Sequence, residues 1–327
     1  MKAILTGKNR ELLWEDVPDP AVGPEDVLIK VEAAALNRAD LMQRAGDYPP
    51  PPGCPEWLGW EIAGTVIKLG AIAEKKSRWR AGDKVCALLG GGGYAQYVSA
   101  HYAMLMPVPK ACSMAEAAAI PEAFATAYLN LFLEEKAKRG ETLLMFGGDS
   151  GLASVVIPVA KAFGLGVITT VRQKERKMQI AHLCADRIID LSAEDVAEVL
   201  REEAQSGSPV NIAIDCVGGA AMGKSLYHLA YGARWIMIAA LAGNMTEIDL
   251  KNIYVRNIRI IGSTLRSRTP RVKAQILSQL VQKVFPKIEN GQIKPTIYKT
   301  LPITEAEQAH AILERCENVG KVVLLVE

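Results

Sequence analysis

Leu143-Leu144-Met145-Phe146-Gly147-Gly148-Asp149-Ser150-Gly151-Leu152-Ala153 is the stretch on which the fold turns. An apolar run of strand length stops at a bend of small residues, and a helix-forming segment, Ser154 to Phe163, follows at once. A second strand-like run, Val167 to Thr170, comes after it. Small residues between a strand and a helix let the backbone approach a diphosphate, whose charge then lies on the helix N-terminus. Glycines alone are a weak signal. Flanked by strand, helix and second strand, they predict a dinucleotide seat formed by Gly147, Gly148, Ser150, Gly151 and Leu152. An ordinary tight strand-to-helix turn is the alternative.

Outward from that unit the alternation continues. Residues 174 to 184 read as a helix, and Arg187 to Asp190 as a short third strand. Ile212-Ala213-Ile214-Asp215 and Trp235-Ile236-Met237-Ile238 extend the series. Strands alternating with helices over residues 122 to 264 predict an α/β doubly wound parallel sheet. The first third is different. Val27-Leu28-Ile29-Lys30-Val31, Gly64-Thr65-Val66-Ile67 and Tyr94-Ala95-Gln96-Tyr97-Val98 are short β patterns among turn residues. Ser113 can cap an alanine-rich helix running to Ala119. From Ser267 on, helices and a last strand, Lys321 to Val326, complete the chain.

Composition narrows the partners. With 38 basic and 36 acidic residues the net charge is +2, too little to build a field for nucleic acid or an anionic membrane. No apolar run approaches the roughly 20 residues that span a bilayer. The six cysteines are scattered without a C-x-x-C pair, which suits a reducing compartment better than a disulfide scaffold. Met1 to Thr6 runs straight into a strand pattern rather than a signal peptide's apolar core, so the expectation is a cytoplasmic protein.

Cofactor preference is read at the end of the second strand. An NAD site places an acidic residue there for the ribose hydroxyls. Here Ile168-Thr169-Thr170-Val171 leads into Arg172-Gln173-Lys174-Glu175-Arg176, with three cations and no carboxylate at the strand end. Arg172, Lys174 and Arg176 suit a 2′-phosphate, and NADPH is expected. The other reading, a solvated helix start, fits less well because the helix dipole disfavours cations at that end.

These residues join a second, more specific run: Asn37-Arg38-Ala39-Asp40-Leu41-Met42-Gln43-Arg44-Ala45-Gly46-Asp47-Tyr48-Pro49-Pro50-Pro51-Pro52-Gly53. Gly82-Asp83-Lys84-Val85, Ile120-Pro121-Glu122-Ala123-Phe124-Ala125-Thr126-Ala127, Asp215-Cys216-Val217-Gly218-Gly219, Gly262-Ser263-Thr264-Leu265-Arg266-Ser267-Arg268 and Gly320-Lys321-Val322-Val323-Leu324 follow in order. Together they resemble the zinc-free quinone oxidoreductase branch of the medium-chain dehydrogenase/reductase superfamily. The resemblance implies a GroES-like, mostly β catalytic domain of residues 1–121 and 265–327. A Rossmann nucleotide-binding domain of residues 122–264 is inserted into it, with the active site in the cleft between them. It also implies a homodimer through the nucleotide domain, with residues near 245 to 264 as the edge.

Where the superfamily's zinc enzymes carry a cysteine and a histidine, this chain has Asn37 and Trp60. Neither replaces the thiolate or imidazole that zinc prefers. Only Glu61 of that set survives, and it can equally be a paired interior carboxylate. No metal is expected. A reductase without a Lewis acid points to an electron-poor acceptor, a quinone or an activated enone, because a hydroquinone anion is stable enough to collect its own proton. The resemblance assigns Asn37, Tyr48 and Thr126 to the nicotinamide and substrate. It gives Cys216, Ala240, Leu241, Leu265, Arg266 and Lys321 to the cofactor. Read alone, Asn37 and Tyr48 are a turn asparagine and a half-buried loop tyrosine, and Arg266 and Arg268 are surface charges.

The cofactor positions also depart from the family's pattern. Asp149 puts a carboxylate into a loop meant for diphosphate, Ala153 replaces a glycine, Leu191 stands where a tyrosine covers the adenosine end, and Ala239-Ala240-Leu241-Ala242 replaces glycines. Three readings follow: an NADPH:quinone oxidoreductase, an NADPH-dependent reductase of α,β-unsaturated ketones or aldehydes, and a nucleotide-binding protein with little turnover.

Overall fold

The computed structural model describes residues 1 to 327. They divide into two compact units, Met1–Ala125 with Arg268–Glu327, and Thr126–Ser267. No helix is long and apolar enough to cross a membrane.

The first unit is mostly β. β1 (Lys2–Thr6) and β2 (Leu12–Asp16) form an antiparallel ribbon. β3 (Asp26–Ala35), β4 (Glu61–Leu69), β5 (Lys84–Leu88), β6 (Tyr97–His101) and β7 (Leu105–Pro107) pair antiparallel around β3, which takes both β4 and β6. Along β3, Val27, Ile29 and Val31 all point into the core, as the period of a half-buried strand requires. They meet Leu58, Ile62, Val85 and Tyr94 there. The strand expected from Tyr94 starts only at Tyr97. Tyr94 is pinned against Gly59, where a Cβ would lie 2.5 Å from the Tyr94 nitrogen, so the ladder with β3 begins after it. Ser113 caps the helix Met114–Ala118 in a reciprocal box with Glu116.

The second unit is a parallel sheet. β8 (Thr142–Met145), β9 (Gly166–Val171), β10 (Arg187–Asp190), β11 (Ile212–Asp215), β12 (Arg234–Met237) and β13 (Arg259–Gly262) lie in the order β10-β9-β8-β11-β12-β13. That order is the doubly wound arrangement, with its reversal between β8 and β11. Leu143, Leu144 and Met145 are wholly buried, because a parallel strand is covered on both faces. The helix read over residues 174 to 184 is shorter: it spans Lys174–Ile180, tightens into a 3-10 turn, and stops at Cys184 in a left-handed conformation (φ 60°). After the second unit the chain adds β14 (Ile297–Pro302) and β15 (Lys321–Leu325) to the first sheet. β15 runs antiparallel to β3, with Leu324 opposite Ala34.

Candidate functional site

The bend after β8 is built around two glycines. Gly147 adopts φ +70°, a region open to glycine but strained for most residues. A Cβ on Gly148 would fall 2.4 Å from Thr169 Oγ1. Two threonines of β9 hold the bend in place. Gly147 N–H donates to Thr170 Oγ1 (3.1 Å) and Gly148 N–H to the Thr170 carbonyl (2.7 Å). Thr169 Oγ1 donates to the Met145 carbonyl (2.7 Å). Ser150 Oγ accepts from the N–H of Ala153 (3.1 Å), the first residue of the helix Ala153–Ala162, and so ties the bend to the helix start. The N–H groups of Gly151 and Leu152 are left without a partner in the chain, at the positive end of that helix. Such a bend at the carboxyl end of β8, where the strand order reverses, fits a dinucleotide's diphosphate.

Neighbouring strand ends gather the other positions. Cys216 follows β11, and its thiol reaches the Phe146 carbonyl at 3.6 Å, against the back of Gly147. Asp215 accepts from Val217 N–H (2.7 Å), Gly218 N–H (3.0 Å) and Trp235 Nε1 (3.2 Å), and burial raises its carboxyl above the usual range. Leu241 N–H donates to the Cys216 carbonyl (3.2 Å), and Ala240 packs beside Gly218. Leu241 is exposed there. Leu191 is exposed too, tied to the end of β9 by its N–H to the Val171 carbonyl (2.9 Å). Leu265, buried, and Arg266, half-buried, lie in the loop after β13. Thr126 lies in the helix Pro121–Tyr128, where its carbonyl accepts from Asn130 Nδ2 (2.8 Å).

After β9 the expected cations stand together with one anion. Lys174 opens the helix Lys174–Ile180 and is exposed. Arg172 and Arg176 both face Asp149, whose Oδ2 lies 3.9 Å from Arg172 Nη2 and 3.7 Å from Arg176 Nε. Asp149 thus turns toward the arginines.

In the first unit Asn37 starts the helix Arg38–Ala45, and Asp40 Oδ2 accepts its backbone N–H (2.8 Å). Its side-chain amide bridges two charges: Nδ2 donates to Glu61 Oε1 (3.0 Å), and Oδ1 accepts from Lys321 Nζ (2.7 Å). Lys321 also lies 2.7 Å from Glu61 Oε1, and Glu61 Oε2 accepts Glu122 N–H (2.8 Å). Both charges are buried. Asp40, also buried, accepts Gly59 N–H (3.0 Å), and burial pushes its carboxyl up to about 6. Tyr48 stacks on Trp60 with ring centroids 5.3 Å apart and planes 10° from parallel. Trp60 is fixed by its Nε1 donating to Gln43 Oε1 (3.0 Å).

This donor set does not fit zinc. Asn37 and Trp60 are poor ligands, the ammonium of Lys321 already neutralises Glu61, and no group of three His, Cys, Asp or Glu could hold a metal. Sequence reasoning passed over Thr169, Thr170 and Asp40, whose only signal was a hydroxyl or carboxylate inside an otherwise apolar or helix-start pattern.

A doubly wound sheet with a glycine bend at its reversal point, inserted into a mostly β unit, defines a two-domain protein of the dinucleotide-binding dehydrogenase type. Residues 23–110 match the alcohol dehydrogenase GroES-like domain family, and residues 151–283 the zinc-binding dehydrogenase family. The chain is 28% identical to a quinone oxidoreductase of Mus musculus over 96% of its length and 93% of that protein's. It is 28% identical to an acryloyl-coenzyme A reductase of Sulfurisphaera tokodaii, over 99% of both. A mycobacterial protein solved in complex with NADPH superposes with a TM-score of 0.85 at 27% identity, covering 99% of this chain and 100% of that one. The chain belongs to the medium-chain dehydrogenase/reductase superfamily, in its quinone oxidoreductase-like branch, and is an oxidoreductase by family.

Proposed function

We propose that the chain is an NADPH-dependent quinone oxidoreductase that works without a metal. The observation that carries this reading is the Lys321–Glu61–Asn37 network in place of metal donors. Without a Lewis acid to stabilise an alkoxide, the acceptor must stabilise its own anion, and a quinone does. NADPH, when bound, supplies the hydride. The chain's part is to bind and orient. Gly151 and Leu152 present N–H groups to the diphosphate, while Arg172, Lys174 and Arg176 receive the 2′-phosphate. Tyr48, stacked on the fixed ring of Trp60, offers a flat surface and a hydroxyl to a planar carbonyl compound. The test is NADPH consumption with 1,4-benzoquinone or 9,10-phenanthrenequinone, compared with an enone.

The likeness to an acryloyl-coenzyme A reductase favours a second reading, reduction of an activated C=C bond with the same residues. An enone consumed faster than either quinone would select it.

The edge of the parallel sheet supports a homodimer. β13 pairs only with β12, and Ile260 on it is exposed, as are Tyr231, Tyr254 and Val255. An uncovered apolar strand edge is a pairing site for a second copy. Six free thiols suit the cytoplasm.

A further inference from the structure

Asp149 is the residue of the bend that a diphosphate seat least explains. Its carboxylate belongs to the cations after β9: Oδ2 lies 3.7 Å from Arg176 Nε and 3.9 Å from Arg172 Nη2. Both separations are ion-pair distances beyond hydrogen-bond range. Asp149 therefore compensates charge without filling either guanidinium fork. With 11% of its side chain exposed, it is shielded from water far better than Arg172, which is 60% exposed. Arg176, at 18%, shares that shelter.

We propose that Asp149 is a specificity-determining residue, an internal anion that competes with the 2′-phosphate of NADPH for Arg172 and Arg176. The inference rests on the cofactor reading above. A 2′-phosphate brings about −1.5 to −2 charges to the same two cations, on the figure for a phosphate monoester. Asp149 must then share them or repel the newcomer. NADH brings no charge to that point and meets no competitor. Because the ion pairs are loose, removing the carboxylate breaks no hydrogen bond to either arginine. Asp149 thus holds the NADPH preference below what the arginines alone would set.

Asp149→Asn keeps the side chain's shape and removes its charge. The full-length variant and the parent chain would be titrated by calorimetry with NADPH, NADH, 2′,5′-ADP and 5′-ADP. The expected result is roughly tenfold tighter binding of NADPH and 2′,5′-ADP, the size of one charge a few ångströms away in a partly screened site. NADH and 5′-ADP should change by less than about twofold, since neither carries the second phosphate. Arg172→Ala with Arg176→Ala in the variant should cancel the gain. Asp149→Ser gives the same reading if asparagine disturbs the bend. Unchanged or weaker NADPH binding, or equal changes for both dinucleotides, overturns the proposal. If the parent binds NADPH and the variant does not differ, the inference fails while the cofactor reading stands. If the parent binds neither dinucleotide, both fall.

Discussion

Lys321 Nζ lies 2.7 Å from Glu61 Oε1, both side chains buried within one unit though far apart in sequence. A buried pair contributes little beyond what matched apolar residues would, but breaking it strands a charge in the interior. Lys321→Met should therefore cost about 3 kcal/mol or more of unfolding free energy by urea titration. Adding Glu61→Gln should recover most of that loss. Losses of the two single variants that simply add in the double variant would show that the two charges are not coupled.

The proposed function gives Tyr48 to the acceptor. Its ring lies nearly parallel to Trp60, and Trp60 is itself tied to Gln43. Tyr48→Ala should lower kcat/KM for a quinone by roughly tenfold, the upper range for an aromatic contact. The NADPH dissociation constant should not move. Tyr48→Phe keeps the stack and separates the ring's share from the hydroxyl's. A Tyr48→Ala variant with full quinone activity would remove this residue from the site.

His310 sets an acid limit. It is wholly buried, both ring nitrogens lack a hydrogen-bond partner, and burial pushes its pKa from 6.5 down to about 3. The unfolded chain binds this proton below 6.5 while the folded chain refuses it until about 3, so stability is lost as pH falls through that window. Asp40 works in the opposite direction. Burial raises it from 3.8 to about 6, so the fold takes up that proton first and gains stability as pH falls between those values. His310→Leu should leave the Asp40 gain unopposed. Its stability relative to the parent should rise by about 1.4 kcal/mol per pH unit from pH 6.5 downward. Parallel stability profiles for the two proteins would contradict this.

The strand edge predicts assembly. One chain is 35.4 kDa, and light scattering on the eluted protein should give twice that mass. Ile260→Lys places a charge on β13 and should return the protein to a monomer. A parent chain that elutes as a monomer would contradict the proposed pairing.

The sequence exposed some parts of this molecule and hid others for a physical reason. β10, Arg187–Asp190, falls where the reading put it, because a short apolar run between turn residues is a local signal. The bend at Gly147 is local too. The pairing of β15 with β3 joins segments far apart in the chain, and periodicity carries no information about partners. The same holds for Lys321 and Asn37, 284 residues apart. Asp149 is visible in the sequence as a misplaced charge, but its direction depends on rotamers and on the arginines after β9, which only the folded structure reveals. The role of Thr170 was hidden likewise: a threonine at a strand end looks like β propensity until its hydroxyl is found holding Gly147.

Calorimetric titration of the purified chain with NADPH and with NADH tests the dinucleotide seat after Phe146 most directly. The expected result is saturable NADPH binding at least roughly tenfold tighter than NADH, as charge-assisted contacts to an extra phosphate require. Arg172→Ala with Arg176→Ala should remove the difference. Uptake of neither nucleotide, or equal affinity for both, would contradict the assignment of that bend and its cations to NADPH.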